Sequence, residues 1–111
     1  NEEVQAQAVW VLGNIAGDSV DFRDAVLEAG VMDPLLALLR STEKLSALRN
    51  EAWCLSNLCR HHPPPEFDAV APAIPVLAHL LSTAEDDEVL ADACWALCYF
   101  ADAGHDRIQA L

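Results

Sequence analysis

The sequence predicts an all-α chain of stacked three-helix repeats, and three observations carry that prediction. The tryptophans of the 111-residue chain, Trp10, Trp53 and Trp95, are spaced by 43 and then 42 residues inside segments that align: Ala8-Val9-Trp10-Val11-Leu12-Gly13-Asn14, Glu51-Ala52-Trp53-Cys54-Leu55-Ser56-Asn57 and Ala93-Cys94-Trp95-Ala96-Leu97-Cys98-Tyr99. A second marker keeps nearly the same period: Val31-Met32-Asp33-Pro34-Leu35-Leu36-Ala37-Leu38-Leu39 aligns with Ala73-Ile74-Pro75-Val76-Leu77-Ala78-His79-Leu80-Leu81, with Pro34 and Pro75 41 residues apart. No segment shows the strict apolar/polar alternation of a half-buried strand. Helical units repeating every ~40–47 residues stack into a solenoid in which each unit buries its apolar face against its neighbours.

The elements follow in order. Residues 1–17 read as the third helix of one unit, with Val4, Ala8, Val11, Leu12 and Ile15 in one arc at 100° per residue and expected to form its core face. A complete repeat spans 18–60. Its short first helix runs from Asp21 to Ala29 and is closed by Gly30. Pro34, tolerated early in a helix, opens a second helix that runs to about Arg40. Thr42 and Glu43 lead into a third, ending near Cys59. The next complete repeat, 61–103, opens on the break Pro63-Pro64-Pro65, with a brief helix from Phe67 to Val70 and a second from Pro72 to about Leu81. After a polar connection from Ser82 to Asp87, a third helix runs from Glu88 to about Ala101, with acids at its start where the helix dipole favours them. Residues 104–111 begin a further repeat. Neither partial unit carries the polar outer face of a capping repeat, so exposed apolar ends and self-association through them are expected.

Composition narrows the function. Apolar residues make up 53% of the chain, enough for one core. Eighteen acids against six Lys and Arg give a formal charge of −12, which argues against nucleic acid and anionic membrane as partners and leaves a basic partner as the natural complement. No apolar run reaches the ~18–20 residues of a membrane span, and Asn1-Glu2-Glu3 is not the basic start of a signal peptide. Cys54, Cys59, Cys94 and Cys98 sit inside apolar helical patterns and are expected to be buried, reduced thiols.

A second arc of each third helix, about 120° from the core arc, repeats along the chain. It holds Gln7, Trp10 and Asn14, then Asn50, Trp53 and Asn57, then Asp92, Trp95 and Tyr99. One Trp in a helix is usually core and one Asn is often a cap, but three Trp at one phase, two of them followed one turn later by Asn, read as a surface groove. An Asn side chain can bond both the N–H and the C=O of a passing backbone without reading its sequence. Indole faces make slots for the methylene stems of Lys or Arg, with cation–π attraction of ~0.5–2 kcal/mol. Packed helices lie ~8–10 Å apart and an extended chain advances ~3.3 Å per residue, so successive shelves match side chains two or three residues apart. Asp18, Glu88, Asp92 and Asp102 at the slot ends would select positive charge.

Three segments carry a closer resemblance: Trp10 through Asp18, Leu48 through Arg60 with the prolines 63–65, and Glu88 through Tyr99. They closely resemble the armadillo domain of the importin alpha family of nuclear import adaptors, over the whole chain. The resemblance implies a right-handed armadillo solenoid of three-helix repeats, no cofactor and no enzymatic activity. It also implies binding of Lys/Arg-rich nuclear localisation signal peptides, in extended form, along the inner groove. On that basis Trp10, Trp53 and Trp95 form the shelves, Asn14, Asn50 and Asn57 hold the peptide backbone, and Asp18 pairs with the most demanding lysine. Gln7, Arg60, Glu88, Asp92 and Tyr99 match positions lining the same groove. Importin beta would be recruited only through a basic segment absent here, and the expected compartments are cytoplasm and nucleus. Departures stand at His61-His62 and at His105, where a basic or polar pair and an Asn are usual.

The rival readings are weaker. An armadillo scaffold of the catenin type, with a non-import partner, would line its groove with Lys and Arg, and only Arg49 and Arg60 come near. An enzyme lacks a phosphate loop or a spaced nucleophile–base pair, and cysteines four and five residues apart on helices do not have the spacing of a structural zinc site.

Overall fold

A computed structural model describes residues 2–102. It contains the helices α1 (Glu2–Asp18), α2 (Val20–Glu28), α3 (Met32–Ser41), α4 (Leu45–Cys59), α5 (Phe67–Val70), α6 (Ala73–Thr83) and α7 (Asp87–Asp102), with no strand among the described residues. The expectations for 104–111, including His105, lie outside the described residues.

The long helices α1, α4 and α7 lie side by side with α4 in the middle, and α3 and α6 form a second row that packs on α4 and α7 and on each other. The result is a slab of 38 × 30 × 19 Å. Its core runs between the two rows, where Leu55, Leu58, Val76, Leu77 and Val89 are essentially inaccessible. The short α5 contributes Phe67, whose ring meets Phe100 edge-on at 6.3 Å.

Local chemistry sets the helix ends. Ser19 separates α1 from α2, and its hydroxyl accepts from the Phe22 N–H at 3.1 Å, a side-chain cap that stabilises by ~1 kcal/mol. Gly30 takes φ +89° just after α2, a left-handed conformation in which a Cβ would be strained. Asp86 caps α7 by accepting from the Val89 N–H at 3.1 Å. α1 runs one residue past the expected boundary, so Asp18 is the last residue of a helix.

Two sequence expectations are corrected. The arc Val4, Ala8, Val11, Leu12 and Ile15 is not the buried face of α1: Val4 is 65% exposed and Val11 45%, while Val9, Gly13 and Ala16 turn inward against α4. The reason is the neighbour. The equivalents of Val11 and Ile15 in α4, Cys54 and Leu58, are fully buried. α4 has α3 from its own repeat packed on it, whereas the helix that packs on α1 besides α4 is α2, from the following repeat. Second, Cys54 and Cys59 are buried but Cys94 and Cys98 are exposed, because α7 buries the face that carries Val89, Ala93, Ala96 and Phe100 instead. Burial pushes the Cys54 thiol up to about 12, which leaves it a small apolar filler and not a nucleophile.

Candidate functional site

The aligned positions become three parallel helices. Trp10 on α1, Trp53 on α4 and Trp95 on α7 occupy equivalent places in the side-by-side row, and Trp10 and Trp95 are 51% and 57% exposed. Fully burying a large aromatic side chain is worth roughly 3 kcal/mol, so two indoles left in water within one short chain make this row the candidate working surface. Trp95 stacks on Tyr99, with ring centroids 6.1 Å apart and planes 25° from parallel, which extends that shelf by one turn.

Trp53 is only half-buried because its ring lies across α1. A Cβ built on Gly13 would fall 2.4 Å from the ring atom Cζ3, so only glycine permits this approach. One turn further, a Cβ on Gly17 would meet Asn57 Nδ2 at 2.8 Å. The two glycines of α1 are therefore a seat for the Trp53 and Asn57 side chains of α4. Asn57 is itself buried, and its Nδ2 donates to the Gly13 carbonyl at 3.0 Å. The expected freedom of Asn57 to meet a peptide is thus corrected: close packing of α4 on α1 turns it inward. Asn14 is exposed and Asn50 half-exposed, so both keep their amides available on the surface, as does Gln7.

The acids occupy distinct settings. Asp18 is exposed at the end of α1, and Glu88 is exposed in the first turn of α7. Asp92 lies one turn after Glu88 and is half-buried; desolvation, with Glu88 close by, raises its carboxyl above the usual aspartate range. A cation placed between them would offset the repulsion and favour the ionised carboxylate. Arg49 already touches this end of the row. It grips Asp86 through two bonds, Nη2 to Oδ1 at 2.7 Å and Nε to Oδ2 at 3.1 Å, and lies 3.4 Å from Glu88. That fork holds the Asp86 carboxyl below its ordinary range. Asp102 is engaged too, paired with His62 Nε2 at 2.9 Å.

Sequence reasoning missed Arg23. It is 1% exposed, and its Nη1 donates to the carbonyls of Arg60 and His61 at 2.7 and 3.1 Å while Asp24 pairs with the same guanidinium. His61, at φ +80°, also places Nε2 3.1 Å from the Gly17 carbonyl. These contacts fix the loop after α4, and leave the Arg60 side chain exposed. An isolated Arg in a short helix gives no signal that it will be buried. Sequence reasoning also missed Glu51, which is 3% exposed: Oε2 accepts from Thr42 Oγ1 at 2.9 Å, Oε1 has no partner, and desolvation raises the carboxyl. The repeat alignment held a clue, since Ala8 and Ala93 stand at the equivalent positions. Among the described residues no cluster of His, Cys, Asp and Glu is placed to hold a metal, and no helix is long and apolar enough to cross a membrane.

Comparison with known proteins agrees with this architecture. The profile of the armadillo/beta-catenin-like repeat matches residues 19–60 and 69–102. The chain is 52% identical over its full length to importin subunit alpha-2 of Arabidopsis thaliana and 54% identical to importin subunit alpha-3 of the same plant. It is 37% identical, over 99% of its length, to the probable importin subunit alpha-A of Dictyostelium discoideum. The chain spans 21–22% of the length of these relatives. A crystal structure of an engineered protein from the Northeast Structural Genomics Consortium superposes with a TM-score of 0.84 at 28% identity, covering 99% of this chain and 44% of that one. With its tandem repeats, its row of third helices and this likeness over every residue, the chain belongs to the armadillo/beta-catenin-like repeat family, as an armadillo fragment of the importin alpha kind.

Proposed function

We propose that this chain is the cargo-binding part of a nuclear import adaptor, and that it holds Lys/Arg-rich nuclear localisation signal peptides in extended form across α1, α4 and α7. The observation that carries the reading is the pair of half-exposed indoles, Trp10 and Trp95, at equivalent places on either side of Trp53 in one row of helices. Basic side chains lie with their stems between the indoles. Asn14 and Asn50 bond the peptide backbone, while Asn57 stays bonded to the Gly13 carbonyl and steadies the seat of α4 on α1. Asp18 takes one ammonium group, and the Glu88–Asp92 pair takes a second, where a cation offsets the unfavourable proximity of two carboxylates. Gln7, Arg60 and Tyr99 line the edges.

The cargo would be recognised in the cytoplasm and released in the nucleus, with importin beta engaged by a part of the full adaptor outside these residues. Nucleic acid and membrane surfaces are disfavoured by the −12 charge. The test is a titration of a fluorescent Lys/Arg-rich peptide at two salt concentrations, repeated with Asp18→Lys and Trp53→Ala. Saturable binding that weakens with salt and is lost in both variants supports the reading. Normal binding by either variant refutes it.

A further inference from the structure

The junctions between successive long helices are not alike, and the difference leaves a second site. Between α4 and α7, Arg49 spans the crevice and forks onto Asp86. Between α1 and α4 the repeat alignment places Ala6 where Arg49 would be and Lys44 where Asp86 would be. Alanine and lysine cannot form that fork, and among the described residues the crevice stays open. What remains is a cavity of about 830 Å³, lined by Ala6 and Gln7 of α1, Thr42 and Lys44 of the connection, and Asn50 and Glu51 of α4.

Glu51 is the group that points to a ligand. Where the other two repeats have Ala8 and Ala93, this one carries a carboxyl that is 97% buried, with one oxygen taken by Thr42 and Oε1 without a donor. A buried polar atom left unpaired destabilises the fold, and an ionised one does so more strongly. Alanine at this position would avoid that cost, so retaining Glu favours a state in which a donor arrives.

We propose that this cavity binds one arginine side chain of the cargo peptide, from a position flanking the segment that lies on the indoles, with Glu51 as its acceptor. The inference rests on the peptide-groove reading, because Gln7 and Asn50 line both the groove and the cavity. A guanidinium brings what the α1–α4 junction lacks. Its stem passes Ala6 as the Arg49 stem spans the next junction, one edge of its planar fork donates to the Glu51 carboxylate, and the other N–H groups reach the side-chain oxygens of Asn50 and Gln7. Turning the carboxylate about its last torsion, a soft two-fold rotor, presents either oxygen. Glu2, Glu3 and Glu43 border the same space and outweigh the single positive charge of Lys44. An ammonium, which donates from one point, fits this set of acceptors less well than the fork.

The test moves one arginine through the Gly/Ser flanks of a lysine-rich peptide and reads affinity by fluorescence anisotropy. At one flank position arginine tightens binding to the wild-type chain about tenfold, and lysine there gains less. Glu51→Ala, which installs the residue of the other two repeats, removes the gain and leaves the unextended peptide unchanged. Glu28→Gln, the same change of charge on an exposed site of α2, keeps the gain. A gain at no position, or one that survives Glu51→Ala, overturns the proposal. If the unextended peptide does not bind the wild-type chain, the groove reading fails on its own. The cavity is then judged by titrating N-acetyl-arginine methylamide and following amide resonances. Shifts at Ala47 and Asn50 that vanish in Glu51→Ala support it, and their absence overturns it.

Discussion

Replacing Gly13 by alanine tests how α4 is seated on α1. The added Cβ would lie 2.4 Å from Trp53 Cζ3 and 2.8 Å from Cε3, so the ring must withdraw by about 1 Å to reach even a tight contact. Overpacking of this kind costs ~1–3 kcal/mol. Alanine returns about 1 kcal/mol through its higher helix propensity. The net expectation is a destabilisation of ~1 kcal/mol, equivalent to ~4–8 °C in Tm for a domain of this size. Urea unfolding followed by circular dichroism and by tryptophan emission measures it. Pairing the change with Trp53→Leu isolates the contact: the smaller side chain relieves the clash, and the two changes should couple favourably by ~1–3 kcal/mol. A Gly13→Ala variant at least as stable as wild type, with an additive double mutant, would show that the indole does not lie on α1.

Other consequences can be measured with the same material. Arg23→Met keeps the apolar stem but strips the donors from the Arg60 and His61 carbonyls and leaves Asp24 without its partner; a loss of ~2–3 kcal/mol in urea unfolding is expected, with the loop after α4 the first segment to gain hydrogen exchange. Glu51 has a raised carboxyl pKa in the folded chain, so the folded state holds its proton more tightly than the unfolded one. Wild-type stability relative to Glu51→Ala should therefore fall as pH rises from the ordinary glutamate range through the raised folded value, and a pH-independent difference would contradict the burial of this group. The Asp92 carboxyl is also raised, and it must ionise to hold a cation. Peptide affinity should weaken as pH falls through its titration, and less so in Asp92→Asn; equal pH profiles would remove Asp92 from the site. The exposed stripe Val4, Val11 and Ile15 should drive self-association, read by sedimentation as concentration dependence that Val11→Ser with Ile15→Ser abolishes. Concentration-independent monomer before substitution would exclude it.

Periodicity made the helices legible. The brief helix Phe67–Val70 follows a triple proline that leaves little choice of boundary, and the repeat period places every long helix to within a few residues. Phase within a single helix was less informative, because burial depends on what lies beside it. Val11 and Cys54 share a phase, yet Val11 is exposed and Cys54 fully buried. The exposure of Trp10 and Trp95 was legible from their shared phase, whereas Trp53, at the same phase, is half-buried on α1. Asn57 was misjudged because its burial depends on Gly13 and Gly17, forty residues away, being small enough to let α4 approach. The pairing of Arg49 with Asp86 depends likewise on two helices from different repeats. Neighbouring sequence carries no record of such contacts.

In the proposed complex a basic peptide lies extended across the indoles of α1, α4 and α7. Intermolecular NOEs between an isotope-labelled chain and an unlabelled Lys/Arg-rich peptide test it most directly. Contacts are expected from lysine or arginine methylene protons to the indole protons of Trp10, Trp53 and Trp95, with those methylene resonances shifted upfield by the rings. A bound peptide whose contacts fall on α2, α5 and α6, with the three indoles untouched, would contradict it.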